Sequence, residues 1–210
     1  LVEQKYDEYK PGESIYVVGD EQNYHFKVLK LIAEKMKIPG AEGIYHLSYG
    51  MVELPTGRMK SREGTVVDAD DMVDEMVTIA GRHTEELGKV KDFSEDELKE
   101  LYDTLGIGAL KFFLLRVDPK KKMIFNPEES IDFHGFTWPF VQYTHARFKS
   151  ILRKEKAVNS PQSTVNSILK LDKGLIVKLA QYSTDVEQAA TEHNPSVLAI
   201  YDFELATAFK

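Results

Sequence analysis

The twelve residues Ile15-Tyr16-Val17-Val18-Gly19-Asp20-Glu21-Gln22-Asn23-Tyr24-His25-Phe26 pass from one hydrophobic period to another. Ile15 to Val18 is a short, mostly β-branched run closed by Gly19, the pattern of a buried strand. Four polar residues then give way to Phe26, Leu29, Ile32, Ala33 and Met36, which recur at helical spacing with lysines between them until Pro39-Gly40. A second apolar stretch, Ile44 to Leu54, lies between Gly43 and Pro55 and reads as another strand. Strand, helix and strand together form a βαβ unit, whose strands run parallel. Upstream there is only a polar lead containing Pro11-Gly12.

Downstream the pattern becomes helical. Pro55-Thr56-Gly57-Arg58-Met59-Lys60-Ser61-Arg62-Glu63-Gly64-Thr65 has no hydrophobic period and reads as a mobile basic loop. Asp68 is placed to cap a helix reaching about Arg82, with Asp70, Asp71, Asp74 and Glu75 complementing its dipole. Ser94-Glu95-Asp96-Glu97 fits a capping box, flanked by Phe93 and Leu98 where a hydrophobic staple sits, and opens a helix to Leu105. Ile107 to Leu115 is apolar almost all round and reads as a separate buried helix. Asp118-Pro119 and Asn126-Pro127 punctuate a connector with a short strand near Met123-Ile124-Phe125. A long helix is expected from Trp138 to Lys156, then three more, with Pro161 and Pro195 in first-turn positions. The expected class is an α/β part followed by a mainly α-helical region.

Composition narrows the classes of function. With 210 residues and no cysteine, disulfide scaffolds and cysteine-ligated zinc or iron–sulfur sites are excluded. No apolar run approaches the roughly 18 residues of a membrane span, and the polar start is not signal-like, so the cytoplasm is the simplest compartment. The formal charge of -7 argues against a nucleic-acid partner only until it is divided along the chain. Residues 67–110 hold 4 basic against 13 acidic side chains, whereas 111–157 hold 10 basic against 5 acidic. The chain has no initiator Met, and the helical pattern of Asp202 to Lys210 carries no stop signal, so a segment of a longer protein is expected.

Four constellations could carry chemistry. Arg58, Lys60 and Arg62 place three cations between Gly57 and Gly64 after a βαβ strand, where a loop can close on a polyphosphate; the bland reading is a solvated basic turn. The Walker phosphate-loop pattern is absent. Gln22 and His25 lie where a strand hands over to a helix, the usual ligand position in open parallel sheets, although His25 also suits a partly buried helix face making one hydrogen bond. The acid cluster at Asp68 to Asp71 is explained by helix capping, and the six histidines show no metal-helix pairing, so no metal site is expected. Arg147, Lys149, Arg153, Lys154 and Lys156 fall within a few helical turns opposed only by Glu155, a face that suits phosphate or merely solvent.

Read in order, these segments resemble the arginyl-tRNA synthetases, class I aminoacyl-tRNA synthetases. The resemblance rests on Tyr16-Val17-Val18-Gly19 with Gln22 and His25, on His46-Leu47-Ser48-Tyr49-Gly50-Met51-Val52 leading into Pro55 to Gly64, on Leu105-Gly106-Ile107-Gly108-Ala109-Leu110-Lys111-Phe112-Phe113, and on Gln142-Tyr143-Thr144-His145-Ala146-Arg147. It implies the C-terminal half of a Rossmann-like nucleotide-binding fold over residues 1–66, a stem-contact connecting region over 67–133, and the start of a helical anticodon-binding domain over 134–210. It also implies ATP, with magnesium, and arginine as substrates, tRNA(Arg) as partner, no membrane, and a monomeric parent.

By the same resemblance, Arg58 to Arg62 stand for the Lys-Met-Ser-Lys-Ser loop that holds ATP phosphates. Arg58 replaces its first lysine and Ser61 occupies its catalytic fourth position, so Lys60 or Arg62 is left to supply the charge. Met59 and Ser61 would line the ATP side, as would His25, while Gly50, Met51 and Val52 would face adenine. Gln22 would contact arginine, and Arg147, Lys149, Arg153 and Lys154 the tRNA. No His-x-Gly-His pattern, the other half of the class I ATP site, occurs among the 210 residues, so this polypeptide alone is expected to be inactive. Two other classes stay open: a non-catalytic RNA- or partner-binding module, and a helical module that self-associates through exposed apolar surface.

Overall fold

The computed structural model describes residues 1–55, 68–88, 90, 92–157 and 170–209, with the backbone alone at 155–157 and 170–172. The basic loop with Arg58, Met59, Lys60, Ser61 and Arg62 lies outside the described residues, as does Pro161 with the helix expected there. Two compact units emerge: Leu1–Glu53 with Asp118–Ile124, and Leu54–Val117 with Phe125–Lys210.

In the first unit, β1 (Ser14–Gly19) and β2 (Ile44–Tyr49) pair in parallel from Ser14↔Ile44 to Gly19↔Tyr49, with α2 (Asn23–Lys35) between them in sequence. Ala33 of α2 is buried with Ala41 and Ile44, and Tyr16 and Ile38 pack around them. Phe26 stacks on the His46 ring at 4.3 Å and meets Tyr16 at 5.2 Å, so three aromatic rings join helix and strands. Lys30 Nζ donates to the carbonyls of Glu42 and Ile44 at 3.0 and 3.1 Å, tying α2 to the start of β2.

The polar lead is a helix, α1 (Val2–Tyr9), which no local pattern announces. Val2 packs on the Ala33 core, and the Tyr6 ring lies so close to Gly40 that a Cβ there would stand 2.4 Å from it. Two tertiary anchors outweigh a weak propensity here. The expected strand from Ile44 to Leu54 is also divided: after Tyr49 the chain turns at Gly50-Met51, and β3 (Val52–Glu53) pairs in parallel with β4 (Met123–Ile124) instead of β1.

The second unit is helical. α3 (Ala69–Glu86) runs a turn past Arg82, and Asp68 stands at its N-cap position without a side-chain capping bond. Ser94 does form the capping box: its backbone N–H donates to Glu97 Oε2 at 2.8 Å, and its hydroxyl accepts from the Glu97 N–H. The helix it opens, α4 (Glu95–Leu115), is continuous, where two helices were expected around Gly106. Glycine weakens a helix, yet both glycines here make room for neighbours. A Cβ on Gly106 would lie 2.8 Å from the backbone N and Cα of Val77 on α3, and one on Gly108 would lie 2.4 Å from the Trp138 indole.

Phe112, Phe113, Phe125, Met76 and Ile131 fill the core beside this crossing. Arg116 lies 3.9 Å over the Phe113 ring and donates to the Phe136 carbonyl, joining the end of α4 to the segment after α5 (Pro127–Ser130). The bundle is completed by α6 (Trp138–Ala157), α7 (Lys170–Glu192) and α8 (Ser196–Phe209). α8 is apolar on most sides and packs against both α6 and α7; its Phe203 meets Phe136 at 4.5 Å and Phe140 at 5.1 Å. Among the described residues, no helix is long and apolar enough to cross a membrane.

Two stability effects are expected. Gly106→Ala forces α3 and α4 apart and should cost about 1–3 kcal/mol in urea unfolding; an unchanged midpoint would refute the close crossing. Glu128 on α5 is held below the ordinary carboxylate range chiefly by a hydrogen bond from Arg82, with His83 contributing. Its lowered pKa adds stability above that range and loses it as the pH falls. Arg82→Ala should therefore lower the urea midpoint at neutral pH, and the difference from the parent should vanish in acid.

Candidate functional site

The parallel register of β1 and β2 ends at Gly19↔Tyr49, so both carboxyl ends finish side by side. Past Gly19, a single turn of tight helix (Asp20–Gln22) leads into α2 and presents Gln22 and His25 exposed to solvent. Among the described residues no hydrogen bond holds the His25 side chain; its ring stands edge-on to Phe26 at 5.7 Å. The partly buried, hydrogen-bonded histidine of this layer is instead His46 on β2, whose Nε2 lies 3.0 Å from the Val18 carbonyl. That role gave no signal in the sequence beyond alternation along β2.

Past Tyr49, Gly50 is buried, and its N–H donates to the Pro119 carbonyl at 2.7 Å. The Met51 carbonyl accepts from the Met123 N–H at 3.1 Å, and Val52 pairs with Met123. Residues 118–124 thus form a strap laid across Gly50. A Cβ at Gly50 would lie 2.4 Å from the Lys121 carbonyl group and 2.7 Å from the Lys122 nitrogen, all backbone atoms that cannot swing aside. The strap opens with a turn in which the Lys120 N–H donates to Asp118 Oδ1 at 2.8 Å and the Lys121 N–H to the Asp118 carbonyl at 2.9 Å.

The sequence-expected residues therefore fall into three groups. Gln22 and His25 follow β1, and Gly50, Met51 and Val52 follow β2, at the paired carboxyl ends of these parallel strands, where open parallel sheets hold ligands. Arg58, Met59, Lys60, Ser61 and Arg62 follow β3 in sequence and lie outside the described residues. Arg147, Lys149, Arg153 and Lys154 belong to α6 in the other unit, all exposed, while Phe140 and Thr144 of the same helix are buried. Arg147 also lies 6.0 Å from the Tyr143 ring centroid, a contact that orders the guanidinium against the helix. The strap was missed: its punctuation was visible in the sequence, but not its return across 70 residues to Gly50.

The catalytic domain of the class I (R) tRNA synthetases matches residues 1–126, and the DALR anticodon-binding domain matches residues 141–210. The arginine–tRNA ligase of Amoebophilus asiaticus is 50% identical over 210 residues, covering 98% of this chain and 35% of that protein. That of Flavobacterium psychrophilum is 51% identical over 201 residues, covering 94% and 33%. Among solved structures, arginyl-tRNA synthetase from Thermus thermophilus superposes with a TM-score of 0.81 at 30% identity, over 95% of this chain and 32% of that one. The Plasmodium falciparum protein, at 19% identity, shares the fold with a TM-score of 0.76, over 99% and 35%. The chain spans about a third of the length of the curated relatives it matches.

If the missing Cβ of Gly50 is what admits the strap, Gly50→Ala should loosen it while leaving α2 and β1 in place. Exchange of the Met123 amide should then quicken by ~10-fold or more, equivalent to ~1.4 kcal/mol of local stability, with Val18 amide protection unchanged. Equal acceleration at both amides would mean that Gly50 supports the whole unit rather than the strap.

Proposed function

The chain belongs to the class I tRNA synthetases of the arginine type, and from that premise we propose that the full-length protein attaches arginine to tRNA(Arg) at the expense of ATP. The observation that carries this reading is that Gln22 and His25 follow β1 and Gly50–Val52 follow β2 at the paired carboxyl ends of two parallel strands. The basic loop of Arg58 to Arg62 follows directly in sequence.

The reaction has two steps. A carboxylate oxygen of arginine attacks the α-phosphorus of ATP, pyrophosphate leaves, and arginyl-adenylate forms. A hydroxyl of the terminal tRNA ribose then attacks the arginyl carbonyl carbon, and AMP leaves. Neither step needs a protein nucleophile, since orientation and neutralisation of phosphate charge supply most of the acceleration. Gln22 offers both a donor and an acceptor to arginine, and His25, exposed in the first turn of α2, serves ATP.

Lys60 or Arg62, with Arg58, neutralises the phosphates as charge shifts to the leaving pyrophosphate, and Met59 and Ser61 shape that loop around ATP. Magnesium accompanies ATP and adds further charge neutralisation. The strap already uses the Gly50 N–H and the Met51 carbonyl. Adenine is therefore met by the Met51 side chain and by Val52, rather than by those two backbone groups, and Gly50 serves by admitting the strap.

In the same reading, residues 1–66 form the C-terminal half of the catalytic domain, 67–133 a stem-contact connecting region, and 134–210 the start of the anticodon domain. Arg147, Lys149, Arg153 and Lys154 face tRNA phosphates. The full-length protein works as a cytoplasmic monomer. The 210-residue chain by itself forms no arginyl-adenylate, because it contains no His-x-Gly-His to hold the other end of the triphosphate. It is instead prone to self-association through Ile15 and Val17, which are 46% and 63% exposed on β1.

In the full-length enzyme, Lys60→Ala or Arg62→Ala should lower kcat by ~10²-fold or more, the scale of a lost transition-state charge contact, with the KM for arginine little changed. A raised arginine KM at constant kcat would remove the loop from the phosphates. Arginine-dependent pyrophosphate exchange by the purified 210-residue chain would overturn its proposed inactivity.

A further inference from the structure

The strap brings to the sheet edge a group that the proposed roles leave unused. Lys120, Lys121 and Lys122 are consecutive, all exposed, and carry no ion pair among the described residues. The one nearby acid of the turn, Asp118, spends its Oδ1 on the Lys120 backbone N–H. Three adjacent like charges repel, and a free loop would disperse them. Here the turn is fixed from below by the Gly50 N–H bond to Pro119, by the Met123 bond to Met51 and by the absence of a Cβ at Gly50. The lysines are therefore held as a group beside the end of β2, one residue past the last pair of the parallel ladder.

We propose that Lys120, Lys121 and Lys122 bind phosphates of the 3′-terminal strand of the RNA that receives the amino acid. This rests on the ligase reading above, because transfer requires the terminal ribose of that RNA to reach the edge where Gln22 and Gly50 meet. A strand ending there must bring its last phosphates past the neighbouring surface. Three exposed cations on successive residues of an outward turn suit an extended polyanion, whereas a nucleotide triphosphate is gripped by groups converging in a cleft.

The experiment uses the full-length enzyme and a tRNA(Arg) transcript. Lys120→Ala/Lys121→Ala/Lys122→Ala should weaken tRNA binding ~10-fold at moderate salt and lower the slope of log affinity against log salt by about 1–2, at about 0.7 per lost single-strand phosphate contact. The KM for ATP and for arginine at saturating tRNA should not move. Lys120→Arg/Lys121→Arg/Lys122→Arg should restore both affinity and slope. With a transcript shortened by its last four nucleotides, parent and Ala variant should bind alike, which places the contact on the 3′ strand. An unchanged slope, a persisting difference on the shortened RNA, or a rise in the KM for ATP alone would each overturn the proposal. A parent enzyme that fails to charge tRNA with arginine would instead overturn the ligase reading itself.

Discussion

Two parallel strands cannot be joined by a tight turn, and the whole of the first unit follows from that constraint. The chain must travel back along the sheet before β2 can begin, and α2 is the return path. The helix has to bury its apolar side against the strands it connects, which is why Ala33, Ile44, Tyr16, Phe26 and His46 meet there. Both strands then finish on the same side. The turn at Asp20–Gln22 and the bend at Gly50 become neighbours without any direct sequence relationship. The candidate site is thus a product of chain direction before it is a product of particular side chains.

Gly50 shows how a second segment is recruited to that edge. A side chain there would collide with the backbone of Lys121 and Lys122, so the residue that ends the first sheet also admits the second, two-residue one. The same economy operates in the helical unit. Gly106 and Gly108 lie in the middle of α4, where each costs helix propensity, and in return α3 and the Trp138 ring approach more closely than alanine would allow. In both places the absent atom sets the architecture.

What could be read in the sequence was what is local. Ile15 to Val18, the 3.6-residue period of α2 and the Ser94–Glu97 box are each complete within a few residues, and each forms the expected element, although β1 exposes Ile15 and Val17 where a buried strand is expected. α1 was hidden because Val2 and Tyr6 find their partners at Ala33 and Gly40, which no periodicity within residues 1–10 encodes. The helices expected on either side of Gly106 are one, because the neighbour that this glycine admits, Val77 of α3, is invisible to local propensity. That Gln22 and His25 follow one strand and Gly50–Val52 another is legible locally, and the parallel register that sets the ends of those strands side by side is not. The short strand near Met123-Ile124-Phe125 is legible and stands as β4, but its return to Gly50 is not, because its partner β3 lies on the far side of α3 and α4 in sequence.

The return of residues 118–124 has a consequence for the order of synthesis. The first unit is discontinuous: its backbone leaves at Glu53 and is completed only at Ile124. At typical translation speeds of about 5–20 residues per second, that interval corresponds to roughly 4–14 seconds. During that time β1, β2 and α2 exist on the ribosome with the edge at Gly50 open and β3 unpaired. Such an edge invites wrong partners, and the emerging α3 and α4 must fold while it waits. The capped, glycine-packed helix pair therefore lies on the timeline of the sheet: the sooner it closes, the sooner the strap is delivered to the edge it covers.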